Sequence, residues 1–176
     1  MTAKKSTPNP AGSNPHMSAQ QAAALMAKIN ALKAFADAME SGDEALLRSM
    51  WAANPDMFDR VETIGLLVNG AGKSVPGATI GGLGLLALEV VLAGIERKVD
   101  FKERIGKLQN TVLMGAAASN NFEIVNVLLP VSDPLAKNVE GRTAAGYARW
   151  SGNNEMADYL EAAEIAHSFK FTGNKK

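Results

Sequence analysis

Two stretches near the C-terminus of the chain resemble each other at one fixed offset. Residues 110–128 contain an Asn-Thr-Val-Leu start, an Ala-Ala pair and an Asn-Phe-Glu-Ile-Val segment, and residues 142–160 contain a similar series. Residue 110 of the first stretch matches residue 142 of the second, and this spacing is typical of the length of one repeat in helical repeat proteins. Each unit of such a fold buries its apolar stripe only against neighbouring units, so three or four units are needed to form a core. The pattern therefore predicts stacked helix pairs.

The composition is that of a soluble folded chain of one domain. The chain has 176 residues, 47% of them apolar, and a formal net charge of zero. Residues 1–17 and 167–176 together contain five lysines and no acid, which leaves 13 basic and 18 acidic side chains in the body. An acidic body argues against binding the phosphate backbone of nucleic acid. We interpret the lysines at the two ends as solubilising.

Neither cysteine nor a secretory signal is found in the sequence. Without cysteine there is no disulfide, thiolate nucleophile or zinc finger, as suits a reducing compartment. The lysines of residues 1–17 are followed by prolines and polar residues, whereas a secretory signal requires an apolar segment there. We therefore expect a cytoplasmic protein.

Three domains are predicted from the pattern along the chain. Residues 1–17, with three prolines, form a flexible N-terminal arm, residues 18–166 form the repeat domain, and residues 167–176 form a basic tail. From Ser18, with Gln21 at the spacing of a capping box, apolar residues recur every three or four positions up to Gly42. This long helix is followed by a second one.

The second helix begins at Asp43, a suitable N-cap, and ends at Asn54 and Pro55. The first helix is about twice as long as one repeat helix requires. We interpret its first half as packing along its own domain, and the alternative is a projecting contact for a homo- or hetero-oligomer.

The glycine-rich segment 65–84 is predicted to be an insertion. Glu89, Glu123 and Glu155 occupy matching positions in three units and are almost equally spaced along the chain. The corresponding residue of the first unit is Ala45, and the interval from Ala45 to Glu89 exceeds one regular period by about ten residues. The glycine-rich segment lies within this longer interval.

The last two units resemble ankyrin repeats. Residues 140–144 read Glu-Gly-Arg-Thr-Ala, and residues 147–153 and 155–160 follow with Tyr-Ala-Arg-Trp-Ser-Gly-Asn and Glu-Met-Ala-Asp-Tyr-Leu. Residues 111–129 are similar to the preceding copy, and the resemblance is clearest in residues 107–166. It implies an all-α, ankyrin-like solenoid of three to four degenerate units, with a long N-terminal helix and a glycine-rich insertion. The implied function is non-catalytic protein–protein interaction.

This resemblance also implies where a protein partner binds. In ankyrin repeats the concave face, made of hairpin tips and the exposed sides of the first helices, contacts partners. The matching positions of this chain are Asn110, Ala118, Ser119, Val139, Glu140, Arg142, Trp150 and Ser151. Arginine and aromatic side chains are frequent anchors at interfaces. Packing of Trp150 against the preceding unit is the alternative.

The chain departs from the family pattern at two positions. The proline of the family is replaced by Val112 and Ala144, and its histidine by Met114 and Gly146. That histidine normally links adjacent turns by hydrogen bonds. We therefore expect a less regular and less stable array than a consensus one.

No catalytic, cofactor-binding or metal-binding constellation is predicted. Residues 70–74, Gly-Ala-Gly-Lys-Ser, resemble the end of a phosphate-binding loop, but Leu67 stands where that motif requires glycine, and Val-Pro-Gly follows instead of a helix. His16 and His167 are the only histidines, and neither lies among carboxylates at a ligand spacing.

Two alternatives to a protein-binding module remain open. The first alternative is a structural component of a larger assembly, with the arm and the first helix as its contacts. The second is a membrane-associated protein that inserts the apolar, glycine-rich segment. Seven glycines and Glu89 argue against a spanning helix, and the apolar run 80–88 is far shorter than the roughly 20 residues required.

Overall fold

The computed structural model describes residues 18–71 and 82–172. The predicted arm at residues 1–17 and residues 72–74 of the loop-like motif lie outside the described residues. The chain divides into two compact units, residues 1–34 and 35–176.

In the described ranges the chain forms nine α-helices, a short 3₁₀ helix and no β-strand, which confirms the all-α class. The 3₁₀ helix, Leu129–Val131, follows α7. The α-helices are α1 Ala19–Ser41, α2 Glu44–Ala53, α3 Pro55–Phe58, α4 Val61–Ala71, α5 Gly82–Glu96, α6 Val112–Ala118, α7 Phe122–Leu128, α8 Ala144–Trp150 and α9 Asn154–Thr172. The last helix thus extends past the predicted domain boundary at residue 166. None of the helices in these ranges is both long enough and apolar enough to cross a bilayer.

In the first unit, the structure describes the N-terminal part of α1. The Ser18 amide donates to Gln21 Oε1 at 2.9 Å, and the Gln21 amide donates to Ser18 Oγ at 3.1 Å, which is the predicted capping box. Leu25, Ile29 and Leu32, spaced four and three residues apart, are 45, 47 and 54% exposed.

Three junctions between consecutive helices in the described part of the second unit have the same backbone geometry, which also ends α5 at Lys98. At each, one residue adopts a left-handed conformation, and the next amide donates to the carbonyl five residues earlier. The left-handed residues are Gly42, Asn120 and Gly152, with φ of 69°, 55° and 84°. The amide bonds run from Asp43 to Ala38 at 2.9 Å, from Asn121 to Ala116 at 3.2 Å and from Asn153 to Ala148 at 2.9 Å.

The starts of the helices also repeat. At the start of α6, Thr111 Oγ1 accepts from the Met114 amide at 3.4 Å, and at the start of α8, Thr143 Oγ1 accepts from the Gly146 amide at 3.3 Å. Asp43 caps α2 as predicted, because its Oδ1 accepts from the Leu46 amide at 2.9 Å. The sequence echo therefore corresponds to repeated local geometry.

Helices of neighbouring pairs contact one another in two rows. In one row α6 packs against α4 and α8, and in the other α5 packs against α2 and α7. The alanines Ala116, Ala117 and Ala148 are completely buried, so the helix axes can approach closely. Ile124 and Met156, which lie at matching positions of α7 and α9, are also completely buried.

Both ends of the predicted glycine-rich insertion are helical. Gly65 lies within α4, and a Cβ atom there would be 2.3 Å from Ile105 Cδ1. The glycine permits α4 to approach the loop after α5, which explains why a residue of low helix propensity is found inside a helix. The central residues, 72–81, lie outside the described residues.

An ion-pair network joins α2 to α5. Arg48 Nη1 and Nη2 donate to the two carboxylate oxygens of Glu89 at 2.6 and 3.3 Å, and Arg48 Nε donates to Glu44 at 2.6 Å. The hydrogen bond from Arg48 lowers the pKa of Glu89 below its ordinary value of 4.5, and the pKa of Arg48 is raised chiefly by its bond to Glu89.

Replacement of Gly152 by alanine tests the left-handed junction. No atom lies within 4 Å of the added Cβ, so the cost arises from backbone strain alone. We expect Gly152→Ala to lower the free energy of unfolding by about 1–2 kcal/mol in urea titrations. Gly152→Asn is the matched control and should lose less, because asparagine tolerates this conformation, as Asn120 does in the native protein. Equal losses in both variants would contradict the explanation.

Glu89→Gln tests the α2–α5 ion pair. Since both side chains are more than a third exposed, we expect a loss of about 0.5–1 kcal/mol at pH 7. Because the pKa of Glu89 is lowered in the folded protein, the ionised carboxylate stabilises the fold above pH 4.5, and this stabilisation disappears as the pH falls through the native pKa. Urea titrations at pH 7 and at pH 3 measure the free energy of unfolding in each condition. The control variant, Glu96→Gln at an exposed position, should change the free energy of unfolding at neither pH. If the difference between wild type and Glu89→Gln were the same at pH 3 as at pH 7, the ion pair would be excluded as its cause.

Candidate protein-interaction surface

Two loops that precede α6 and α8 are joined through their backbones. Ile105 and Asn110 exchange amide-to-carbonyl hydrogen bonds of 2.7 and 3.1 Å across the first loop. In the second loop the Asn138 amide donates to the carbonyl of Arg142 at 3.0 Å. The Val139 amide reaches the first loop and donates to the carbonyl of Leu108 at 3.0 Å. The two loop tips are therefore held side by side.

Asn138 organises the second loop from a buried position. Its side-chain carbonyl accepts from the amides of Glu140 and Arg142 at 3.0 and 2.9 Å. Its Nδ2 donates to Asn110 Oδ1 at 2.9 Å, and Asn110 Nδ2 donates to the Tyr147 hydroxyl at 3.4 Å. Asn110 was predicted to contact a partner, and in the structure its side chain connects the two loops to α8.

An aromatic and arginine cluster lies on the exposed side of α8. We define the Trp150 cluster as Glu140, Arg142, Tyr147 and Trp150. The guanidinium of Arg142 lies over the Trp150 ring, 4.9 Å from its centroid, and forms an ion pair with Glu140. The rings of Tyr147 and Trp150 are 5.5 Å apart, and Trp150 is 65% exposed. A large apolar side chain is therefore held in place at the surface.

The structure brings together three of the predicted contact residues: Glu140, Arg142 and Trp150. Sequence reasoning missed Tyr147, although its position three residues before Trp150 on a predicted helix places both on one face. Val139, at the adjacent loop tip, is 61% exposed.

The remaining predicted contact residues lie at the helix ends. Ser119 is half-buried, and its hydroxyl has the carbonyls of Val68 and Gly115 as acceptors at 3.0 and 2.9 Å, so it connects α6 to α4. Ser151 is exposed at the end of α8, where its amide donates to the carbonyl of Tyr147 at 3.0 Å. Ala118 is half-buried.

Side-chain size changes sharply between α6 and α8. Tyr147 and Trp150 of α8 correspond to Gly115 and Ala118 at the matching positions of α6. Gly115 faces α4, where a Cβ atom would be 3.9 Å from Asn69 Cβ and from the carbonyl of Gly65. The aromatic pair is therefore a feature of α8 that α6 does not share.

The two arginines next to Trp150 in the chain and in space are both held in ion pairs. The guanidinium of Arg149 donates to Glu161 at 2.7 Å and to Asp158 at 2.9 Å, and these bonds raise its pKa. Arg142 is paired with Glu140. In residues 18–71 and 82–172, no group of three acidic or histidine side chains could hold a metal ion.

Asn138→Ala tests whether this residue holds the loop beneath the Trp150 cluster. The variant leaves two backbone amides without their acceptor in a position that is only 6% exposed. We expect a loss of about 2–3 kcal/mol in the free energy of unfolding, measured in urea. Asn138→Asp keeps an oxygen for both amides and should lose less. A loss below about 0.5 kcal/mol for Asn138→Ala would mean that the loop is held by other contacts.

The chain was also compared with known proteins. It matches no protein-family model, and no curated protein matches it.

Proposed function

We propose that the chain is a non-catalytic protein-binding module whose second unit is an ankyrin-like repeat array. The partner is a protein that contacts the loop tips and the exposed side of α8. Support for the repeat architecture comes from the three equivalent helix junctions and from the two rows of helix contacts.

The Trp150 cluster is the single observation that carries this proposal. Tryptophan, tyrosine and arginine are the residues most enriched among those that dominate binding energy at interfaces. Here the three adjoin one another, and the tryptophan is mostly exposed. An exposed aromatic ring of this size favours contact with another protein, because removing its apolar surface from water is favourable.

Pre-organisation gives the cluster a further advantage for binding. Trp150 adjoins both Arg142 and Tyr147 before any partner arrives, so less side-chain entropy is lost on association. A cation–π contact at an exposed site contributes about 0.5–1 kcal/mol, and more once a partner excludes water. The complementary partner surface is an apolar side chain next to an acceptor for the Arg142 guanidinium.

Affinity capture from the native source, followed by mass spectrometry, would identify the partner. The variant with both Trp150→Ala and Arg142→Glu removes the ring and reverses the charge. We expect it to lower affinity for the captured partner at least tenfold, as is usual for an interface anchor. Its far-UV circular dichroism should match that of the wild type, because the ring is mostly exposed.

Leu85→Ala provides the matched control for this experiment. Leu85 is a large apolar residue of α5 that is 52% exposed, and α5 belongs to the other row of helices. Partner affinity should be unchanged in this variant. If the double variant at Trp150 and Arg142 also bound with unchanged affinity, the Trp150 cluster would be excluded as the binding site.

A second candidate function is supported by the first unit. Leu25, Ile29 and Leu32 form an exposed apolar stripe with the four-and-three spacing of a helix-pairing seam. Residues 1–34 also contain four lysines and no acid. These features favour a structural component that joins a larger assembly through the first helix.

Ile29→Lys would distinguish the two functions. The substitution places a charge in the middle of the apolar stripe and should abolish self-association or incorporation into a complex, as measured by light scattering after size-exclusion chromatography. Capture of the partner by the Trp150 cluster should persist. Unchanged assembly in this variant would remove the second candidate.

A further inference from the structure

A cavity separate from the Trp150 cluster lies where three segments of the second unit meet. Its volume is about 470 Å³, within the range of small-molecule sites. The loop after α5 contributes Lys102, and the C-terminal part of α9 contributes His167 and Ser168. The segment that follows the 3₁₀ helix contributes the remaining lining residues, Ser132, Asp133 and Leu135.

Ser132 provides evidence for a ligand. Ser132 is only 5% exposed, and its hydroxyl has no hydrogen-bond partner among the described residues. A buried hydroxyl without a partner is unfavourable, so such groups are usually satisfied by the protein, by water or by a ligand. Because Ser132 lines the cavity, a molecule bound there could supply the missing partner.

The other lining groups indicate the class of molecule. Lys102 supplies an ammonium group and Ser132 a hydroxyl, both of which can donate to an anionic oxygen, whereas the Ser168 hydroxyl already donates to the carbonyl of Ile165 at 2.7 Å. Asp133 also lines the cavity, and its Oδ1 accepts from the Leu135 amide at 3.0 Å, so this carboxylate is oriented by its own loop. Leu135 adds an apolar wall.

We propose that this cavity binds a small organic anion. Its carboxylate or phosphate group contacts Lys102 and the Ser132 hydroxyl, and its apolar part lies against Leu135. The site is independent of the proposed protein-binding surface, since the two share no residue.

An NMR titration of the full chain tests this site. The probes are hexanoate, hexyl phosphate and, as a neutral comparison, hexanol. We expect saturable shifts of the amide signals of residues 102, 132–135, 167 and 168 with at least one anionic probe, and the stronger of the two probes identifies the headgroup. The absence of saturable shifts with both anions, or equal binding of hexanol, would overturn the proposal.

Two lysine variants provide the matched comparison. Lys102→Ala should weaken binding of the effective anion at least fivefold, because it removes the ammonium group of the cavity. Lys107→Ala removes an exposed lysine from the same loop that does not line the cavity, and it should change binding by less than twofold. Equal effects of the two variants would overturn the assigned site, because the anion would then respond only to the general charge of the loop.

Ser132→Ala separates a ligand-binding hydroxyl from a structural one. If the hydroxyl awaits a ligand, the variant weakens anion binding at least threefold and leaves the Tm of the free protein unchanged or higher. A Tm that falls by several degrees would show that the hydroxyl already has a partner inside the protein and would overturn its assigned role.

Discussion

Contact between neighbouring helix pairs is the constraint on which the rest of the structure depends. Three of the central helices, α6, α7 and α8, have only seven residues each. Isolated helices shorter than about 12 residues are marginal in water, so these are stable only because their apolar faces are buried against other helices. Fully buried alanines at 116, 117 and 148 make that burial possible, since larger side chains would force the axes apart. The stability of any one helix pair therefore depends on its contacts with the neighbouring pairs.

The loops that precede α6 and α8 connect the packed interior to the exposed surface by hydrogen bonds. Asn138 connects the backbone of its own loop to Asn110, and Asn110 connects in turn to Tyr147 beside the exposed tryptophan. A chain of buried and half-buried amide groups thus extends from the interior to the aromatic face of α8. Interior packing and the geometry of the candidate interface cannot be altered independently there.

Local sequence signals predicted much of this fold. The caps at Ser18 and Asp43 and the helix end at Asn54 depend on residues within three or four positions, and each was found where it was predicted. The internal sequence echo likewise identified two junctions with equivalent hydrogen bonds. Turn and capping chemistry is local, so one sequence suffices to recognise it. Long-range contacts could not be predicted in this way.

The pairing of Arg48 with Glu89 joins residues far apart in the chain, and so does the close approach of Gly65 to Ile105. The unpaired hydroxyl of Ser132 lines a cavity formed by segments that only the fold brings together. Of the candidate surface, the sequence predicted Trp150 and Arg142 but not the cation–π contact between them or the role of Tyr147.

The equivalence of the three junctions has an evolutionary consequence. Each joins two helices through the same backbone bonds, whatever residue fills the left-handed position. Unequal recombination between two such points in a gene would therefore splice the flanking segments in register. Recombination between residues 120 and 152, for example, would remove α7 and α8 and join α6 directly to α9 through a junction of the same form.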